Sequence, residues 1–132
     1  MGPVKYLLDT HALLWSVRDN AKLSNAALAI IEDASETLLV SAVSAYEIMY
    51  KYRLGKLPEY AYLAENYLEI LREFDASELQ ISTRHAHFAG KLDWSHRDPF
   101  DRLLAAQAFV EDAILITNDP AFDSLPWLKT LW

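Results

Sequence analysis

The feature that most constrains this chain is an alternation: short apolar runs separated by stretches with a helical period. Val4 to Leu8, Thr37 to Val40, Leu79 to Ile81 and Ile114 to Ile116 read as strands, and Leu128 to Leu131 as a short fifth. Amphipathic segments over about Ala12–Val17, Asn25–Glu32, Tyr60–Phe74, Thr83–Lys91 and Pro99–Glu111, together with a segment around Glu47, read as helices. Strands regularly interrupted by helices are the mark of βαβ units and a parallel sheet. With 132 residues and 52% hydrophobic content the chain is expected to form a single domain, 1–132, with a real core. It has no cysteine, which rules out disulfides and thiolate metal sites. The first residues run straight into a strand without the apolar stretch of a secretory signal, and no run reaches membrane-spanning length, so a soluble, cytoplasmic protein is expected.

Four acidic residues sit at the joints of this alternation. Asp9 follows the first strand, Glu47 lies in the segment after the second, Asp101 opens a late helix, and Asp119 follows the fourth strand. The carboxyl ends of parallel strands line one crevice, where ligands bind. Carboxylates gathered there repel one another unless a cation lies between them, and a hard divalent ion prefers oxygen ligands. The net charge of −7 argues against a passive nucleic-acid binder. Lys and Arg total 12 against 19 Asp and Glu; with the four acids assigned to a metal, 15 acids remain and the balance is −3. A transient nucleic-acid substrate stays open.

Each acid also has a structural role to set beside the functional one. Asp9 fits an N-cap of the next helix, and the two readings stand even. Ser44 to Glu47 fits a capping box, although Ser41 serves equally well as the cap. The apolar neighbours of Glu47 leave it little solvated surface, which favours a partner or a metal. Asp98 before Pro99 is a strong helix start, so Asp98 ranks as a cap and Asp101 as a ligand, with Asp98 able to approach the same ion. Thr117-Asn118-Asp119-Pro120 is a turn signal in its own right, and only its place after the fourth strand raises Asp119. His11 adjoins Asp9 and is a candidate to orient it; His96 lies in the loop before Asp98; His85 and His87 diverge on a helix. Lys51, Arg53 and Lys56 form a small basic group and are candidates for touching a nucleic-acid substrate, balanced against a plain solvated face whose stems cover neighbouring tyrosines.

Five stretches together resemble the PIN domain of VapC-type toxins from toxin–antitoxin pairs. They are Leu7 to Trp15, Ser41 to Ile48, Gly55 to Pro58, His96 to Ala108 and Thr117 to Phe122, and they cover almost the whole chain. The resemblance implies an α/β/α sandwich, three layers around a central, mainly parallel sheet. It implies a metal site of Asp9, Glu47, Asp101 and Asp119 holding one or two Mg²⁺ or Mn²⁺ ions, with Asp98, Thr10, His11 and Thr117 behind them. It also implies an endoribonuclease acting on single-stranded or loop RNA, a homodimer, and a cognate antitoxin as partner. Asn118 stands where relatives often carry arginine, which places a local phosphate contact in question. Two other readings stay open: a non-catalytic PIN-like interaction module, and an aspartate-phosphorylated receiver domain, which lacks here its early acidic pair and late lysine.

Overall fold

A computed structural model describes residues 3–132. Five strands form one wholly parallel sheet, with β1 (Lys5–Leu8) at its centre. β2 (Thr37–Ser41) and β4 (Ala113–Ile116) flank it, and β3 (Ser77–Leu79) and β5 (Thr130–Leu131) are the edges, giving the order β3-β2-β1-β4-β5. The central strands are nearly continuous apolar runs because both faces are covered. Leu7, Leu39 and Leu115 point to one core, closed by Leu104, Ala105 and Ala108 of α7 (Pro99–Val110) and by Phe122. Leu8, Val40 and Ile116 point to the other. That second core is closed by Ala12 and Leu13 of α1 (Thr10–Arg18), Ala27 of α2 (Asn25–Glu32) and Leu63 of α4 (Ala61–Glu65). The result is the expected three-layer α/β/α sandwich.

Two features of the sheet create the site. Leu8 pairs in register with Val40 on one side and Ile116 on the other, so the next residues, Asp9, Ser41 and Thr117, lie at one level along the carboxyl edge of the sheet. The chain also builds outward from β1 to β2 and β3, then returns to place β4 on the opposite side. Such a reversal opens a crevice at the carboxyl ends of the strands. Over that crevice α3 (Ala42–Arg53) contributes Val43 to one core and Ile48 to the other.

The periphery differs from the sequence reading in three places. The third strand lies at Ser77–Leu79, not Leu79–Ile81, because an edge strand is fixed by pairing to β2 (Leu39 with Ser77, Ser41 with Leu79) and needs no apolar run. The single helix expected over Tyr60–Phe74 is a 3₁₀ turn (Pro58–Tyr60), α4 and α5 (Tyr67–Glu73). Asn66 breaks it: its backbone leaves helical geometry and its amide Nδ2 donates to the Tyr62 carbonyl at 2.9 Å. Leu128 belongs to the core and not to β5, which is shortened to two residues. The remaining elements, including α6 (Thr83–Lys91), lie within a few residues of expectation.

Candidate active site

Asp9 is 6% exposed and both of its oxygens are held. Oδ1 accepts the Ala12 backbone N–H at 2.7 Å, capping α1, and Oδ2 accepts the Thr117 hydroxyl at 2.5 Å across the β1–β4 crevice. Asp9 is therefore the helix cap, and its second oxygen still stands at the crevice, so capping does not exclude the ligand role expected of it. Burial pushes the Asp9 carboxyl above its usual range; the hydrogen bonds from Thr117 and Ala12 pull it back, and the charge of Asp119 raises it further. Asp119 itself is fixed by the Thr117 hydroxyl, which accepts its backbone N–H at 3.1 Å, and it caps the following turn through the Ala121 N–H at 2.9 Å.

Glu47 is 3% exposed. No capping box forms at Ser44; α3 is capped by Ser41, whose hydroxyl accepts the Val43 N–H at 3.0 Å and donates to Gln107 Oε1 at 2.5 Å. Glu47 thus lies inside the helix and faces α1, where the Thr10 hydroxyl donates to Oε1 at 2.6 Å and packs on the Ser44 hydroxyl at 3.0 Å. Lys51, one turn along, donates to Oε2. Burial disfavours the ammonium charge, but Glu47, Asp98 and Asp101 outweigh it, and the Lys51 pKa is raised. Lys51 therefore belongs to the acidic cluster, whereas Arg53 and Lys56 are exposed beyond it.

On the other rim Asp101 pairs with His96, Nε2 to Oδ2 at 2.7 Å. Burial raises the Asp101 pKa to about 6 against the His96 hydrogen bond, with Asp98, Asp119 and Glu47 adding to the rise. Asp98 caps α7 through Oδ1, accepting the N–H groups of Phe100 at 2.8 Å and Asp101 at 3.3 Å. His96, Asp98 and Asp101 place one ligand atom each within 4.8 Å of one another. Among the described residues this is the one group of three so placed, and it differs from the four acids named from sequence. His11 is exposed and packs on Trp15, ring centroids 5.6 Å apart, instead of bonding to Asp9; its charge reaches Asp9 through space.

Sequence reasoning missed Arg102. Its guanidinium donates to the carbonyls of Leu92 (2.6 Å), Trp94 (2.8 Å), His96 (3.0 Å) and Ala89 (3.2 Å), gathering the loop that carries His96 and Asp98. A signal was available: an arginine next to a ligand-like aspartate, facing a loop with no regular backbone pairing of its own. The donor chemistry suits a hard divalent cation. It is carboxylate oxygen with one imidazole, the pKa values of Asp9 and Asp101 are raised by burial and by the charge of Asp119, and no thiolate is present.

The sequence profile of the PIN domain matches residues 6–128. The chain belongs to the PIN domain family. A stretch of 65 residues is 40% identical to ribonuclease VapC16 of Mycobacterium tuberculosis, covering 49% of this chain and 45% of that protein. This PIN domain also shares its fold with solved structures at low identity. VapBC2 from Rickettsia felis, bound to a promoter DNA fragment, superposes with a TM-score of 0.73 at 21% identity over 98% of this chain and 99% of the other. DNA-bound VapBC from Salmonella typhimurium gives 0.71 at 18% over 97% of each chain, and VapBC-1 from nontypeable Haemophilus influenzae 0.68 at 18% over 97% of each. Membership of the PIN family replaces the receiver-domain alternative.

Proposed function

We propose that this PIN domain is a Mg²⁺- or Mn²⁺-dependent endoribonuclease of the VapC type, the toxin of a toxin–antitoxin pair, cutting single-stranded or loop RNA by in-line hydrolysis. The observation that carries this reading is the acidic set at the strand-order reversal, Asp9 and Glu47 buried and Asp101 and Asp119 half-buried, where the charge of Asp119 acts on both Asp9 and Asp101 and that of Glu47 acts on Asp101. Family membership, the likeness to a ribonuclease along 49% of the chain, and the fold shared with VapBC proteins support the same conclusion.

Asp9, Asp101, Asp119 and Glu47 would hold the ion, with His96 and Asp98 at the Asp101 side. One or two bound ions would supply neutralisation of the scissile phosphate and acidification of water. The protein's contribution is order established before substrate arrives. Asp9 is held by Ala12 and Thr117, and Glu47 by Thr10 and Lys51, so their oxygens need little rearrangement during reaction. In the hydrolysis a water oxygen forms the new bond to phosphorus, the bond to the 3′-oxygen breaks, and the water's proton ends on that oxygen. The products are a 5′-phosphate and a 3′-hydroxyl.

A cognate antitoxin and a second copy of the chain are the proposed partners. Leu54, Tyr62 and Leu68 leave apolar surface for them on α3 to α5. The test is incubation of the purified protein with a panel of unstructured and hairpin RNAs, with and without Mn²⁺. Metal-dependent cleavage leaving 5′-phosphate ends is expected. Metal-independent cleavage, or cyclic 2′,3′-phosphate ends, would refute the mechanism.

A further inference from the structure

Next to the carboxylates, α3 and α7 present three aromatic rings: Tyr46 and Tyr50, exposed and outside both cores, and Phe100, half-buried with one side packed against the first core. Tyr46 precedes Glu47 on α3 and Tyr50 follows one turn later; Phe100 precedes Asp101 on α7. Tyr46 and Tyr50 are stacked, centroids 5.9 Å apart, and Phe100 lies 5.8 Å from Tyr46 and 6.3 Å from Tyr50. Tyr46 is 64% exposed and Tyr50 46%. The Lys51 ammonium that binds Glu47 also lies 5.9 Å from the Phe100 centroid. One cation therefore borders both the ring cluster and the acidic cluster.

We propose that Tyr46, Tyr50 and Phe100 form a stacking subsite for an unpaired nucleobase beside the scissile phosphate, an inference that rests on the endoribonuclease reading. Charge makes the case for a base as occupant. A chain of net charge −7 has little basic surface with which to draw in a phosphate backbone, so affinity must come largely from contacts that do not depend on charge. Base–aromatic stacking is such a contact, and it tolerates any base because each has a π face. The Lys51 ammonium reaches both Glu47 and the Phe100 ring, so a base stacked on the cluster keeps its own phosphate near the carboxylates. A paired base has its faces covered in the duplex, and the subsite therefore selects single strands and loops. Lys51, shared between Glu47 and Phe100, fixes the position of the subsite relative to the acids.

The test is steady-state cleavage of an unstructured oligoribonucleotide by the full chain carrying Tyr46→Leu and Tyr50→Leu together, alongside the Tyr46→Phe variant. The expected result is a KM raised about 10-fold in the double variant with a smaller change in kcat, and recovery in Tyr46→Phe, which keeps the ring. Removing the base next to the cleavage site should raise KM for the unaltered protein and add little in the double variant. A 2-aminopurine at that position should lose fluorescence on binding the unaltered protein and not the leucine variant. Normal cleavage with an unchanged KM in the double variant overturns the subsite while leaving the nuclease reading intact. So does an unchanged KM combined with weakened antitoxin binding, which would make the rings a protein-docking face. No cleavage by the unaltered protein overturns the nuclease reading, and the subsite with it.

Discussion

The two rims of the acidic crevice are built differently. Asp9 and Asp119 stand at strand exits and are locked by the Thr117 hydroxyl, which donates to one and accepts from the backbone of the other. Asp101, Asp98 and His96 stand at the start of a helix and in the loop before it, and that loop depends on Arg102 for its shape. The strand rim inherits its precision from sheet register, since Leu8 and Ile116 are paired. The helix rim draws its precision from one side chain. A crevice of this kind combines fixed carboxylates with an adjustable set, so changes on the two sides should fail in different ways.

The sharpest break of that comparison is Asp9→Asn. Loss of the central charge should lower cleavage on the order of 10³-fold, as removal of a principal electrostatic group does. Metal-free thermal stability should hold or rise, because the substitution removes a carboxyl that burial disfavours and keeps an oxygen for the Ala12 N–H. Activity assays and thermal melts in EDTA measure the two halves. An Asp9→Asn protein that still cleaves would move the central role to the helix rim.

Arg102→Ala comes next and should act on the other rim alone. It leaves the carbonyls of Ala89, Leu92, Trp94 and His96 without their shared donor, a loss of about 2–4 kcal/mol in unfolding free energy. The loop then ceases to hold His96 and Asp98 in place, and activity should fall about 10–100-fold, the range for supporting residues behind a metal site. Arg102→Lys should restore little, since an ammonium cannot serve the fan of acceptors that a planar guanidinium reaches. Hydrogen exchange across residues 92–98 should rise while exchange in β1 and β4 stays protected. A uniform rise would mean that the loop and the sheet form one cooperative unit.

The strand rim was also the more legible in sequence. Apolar strands followed by Asp9 and Asp119 can be read from local pattern, because both acids lie just past a short, nearly continuous apolar run. The central strands and α7 fell where expected for the same reason. The helix rim was less legible because its geometry depends on long-range contacts to loop carbonyls, which leave no periodic trace. Arg102 is marked in sequence only by standing next to Asp101, and His96 reads as one loop residue among several. Lys51 looked like part of a basic patch with Arg53 and Lys56, yet helical spacing brings it onto Glu47 instead. Asn66 hid a helix break for a related reason: a side chain that competes with the backbone does not interrupt the amphipathic pattern around it.

The smallest expected effect is a pH dependence, and its sign separates this site from an ordinary set of surface carboxylates. The Asp101 pKa is raised in the folded protein, from 3.8 to about 6, mainly by burial. An acid whose folded pKa is raised binds its proton more tightly in the native state. Its contribution to stability is full below about pH 4 and is lost as pH rises through about 6. Salt-bridged surface acids behave in the opposite way and lose stability as pH falls. In EDTA the protein should therefore melt a few degrees higher near pH 5 than near pH 7.5, roughly the Tm shift that 1 kcal/mol or so gives a domain of this size. Mn²⁺ at pH 7.5 should recover the difference, because a cation among the carboxylates stabilises their charged forms. Asp101→Asn should flatten the metal-free profile over this range, and Asp119→Asn should lower the Asp101 midpoint by removing one of the charges that raise it. A metal-free Tm that climbs steadily from pH 5 to pH 7.5 would show that the helix rim is solvated and relaxed, not held against its own repulsion.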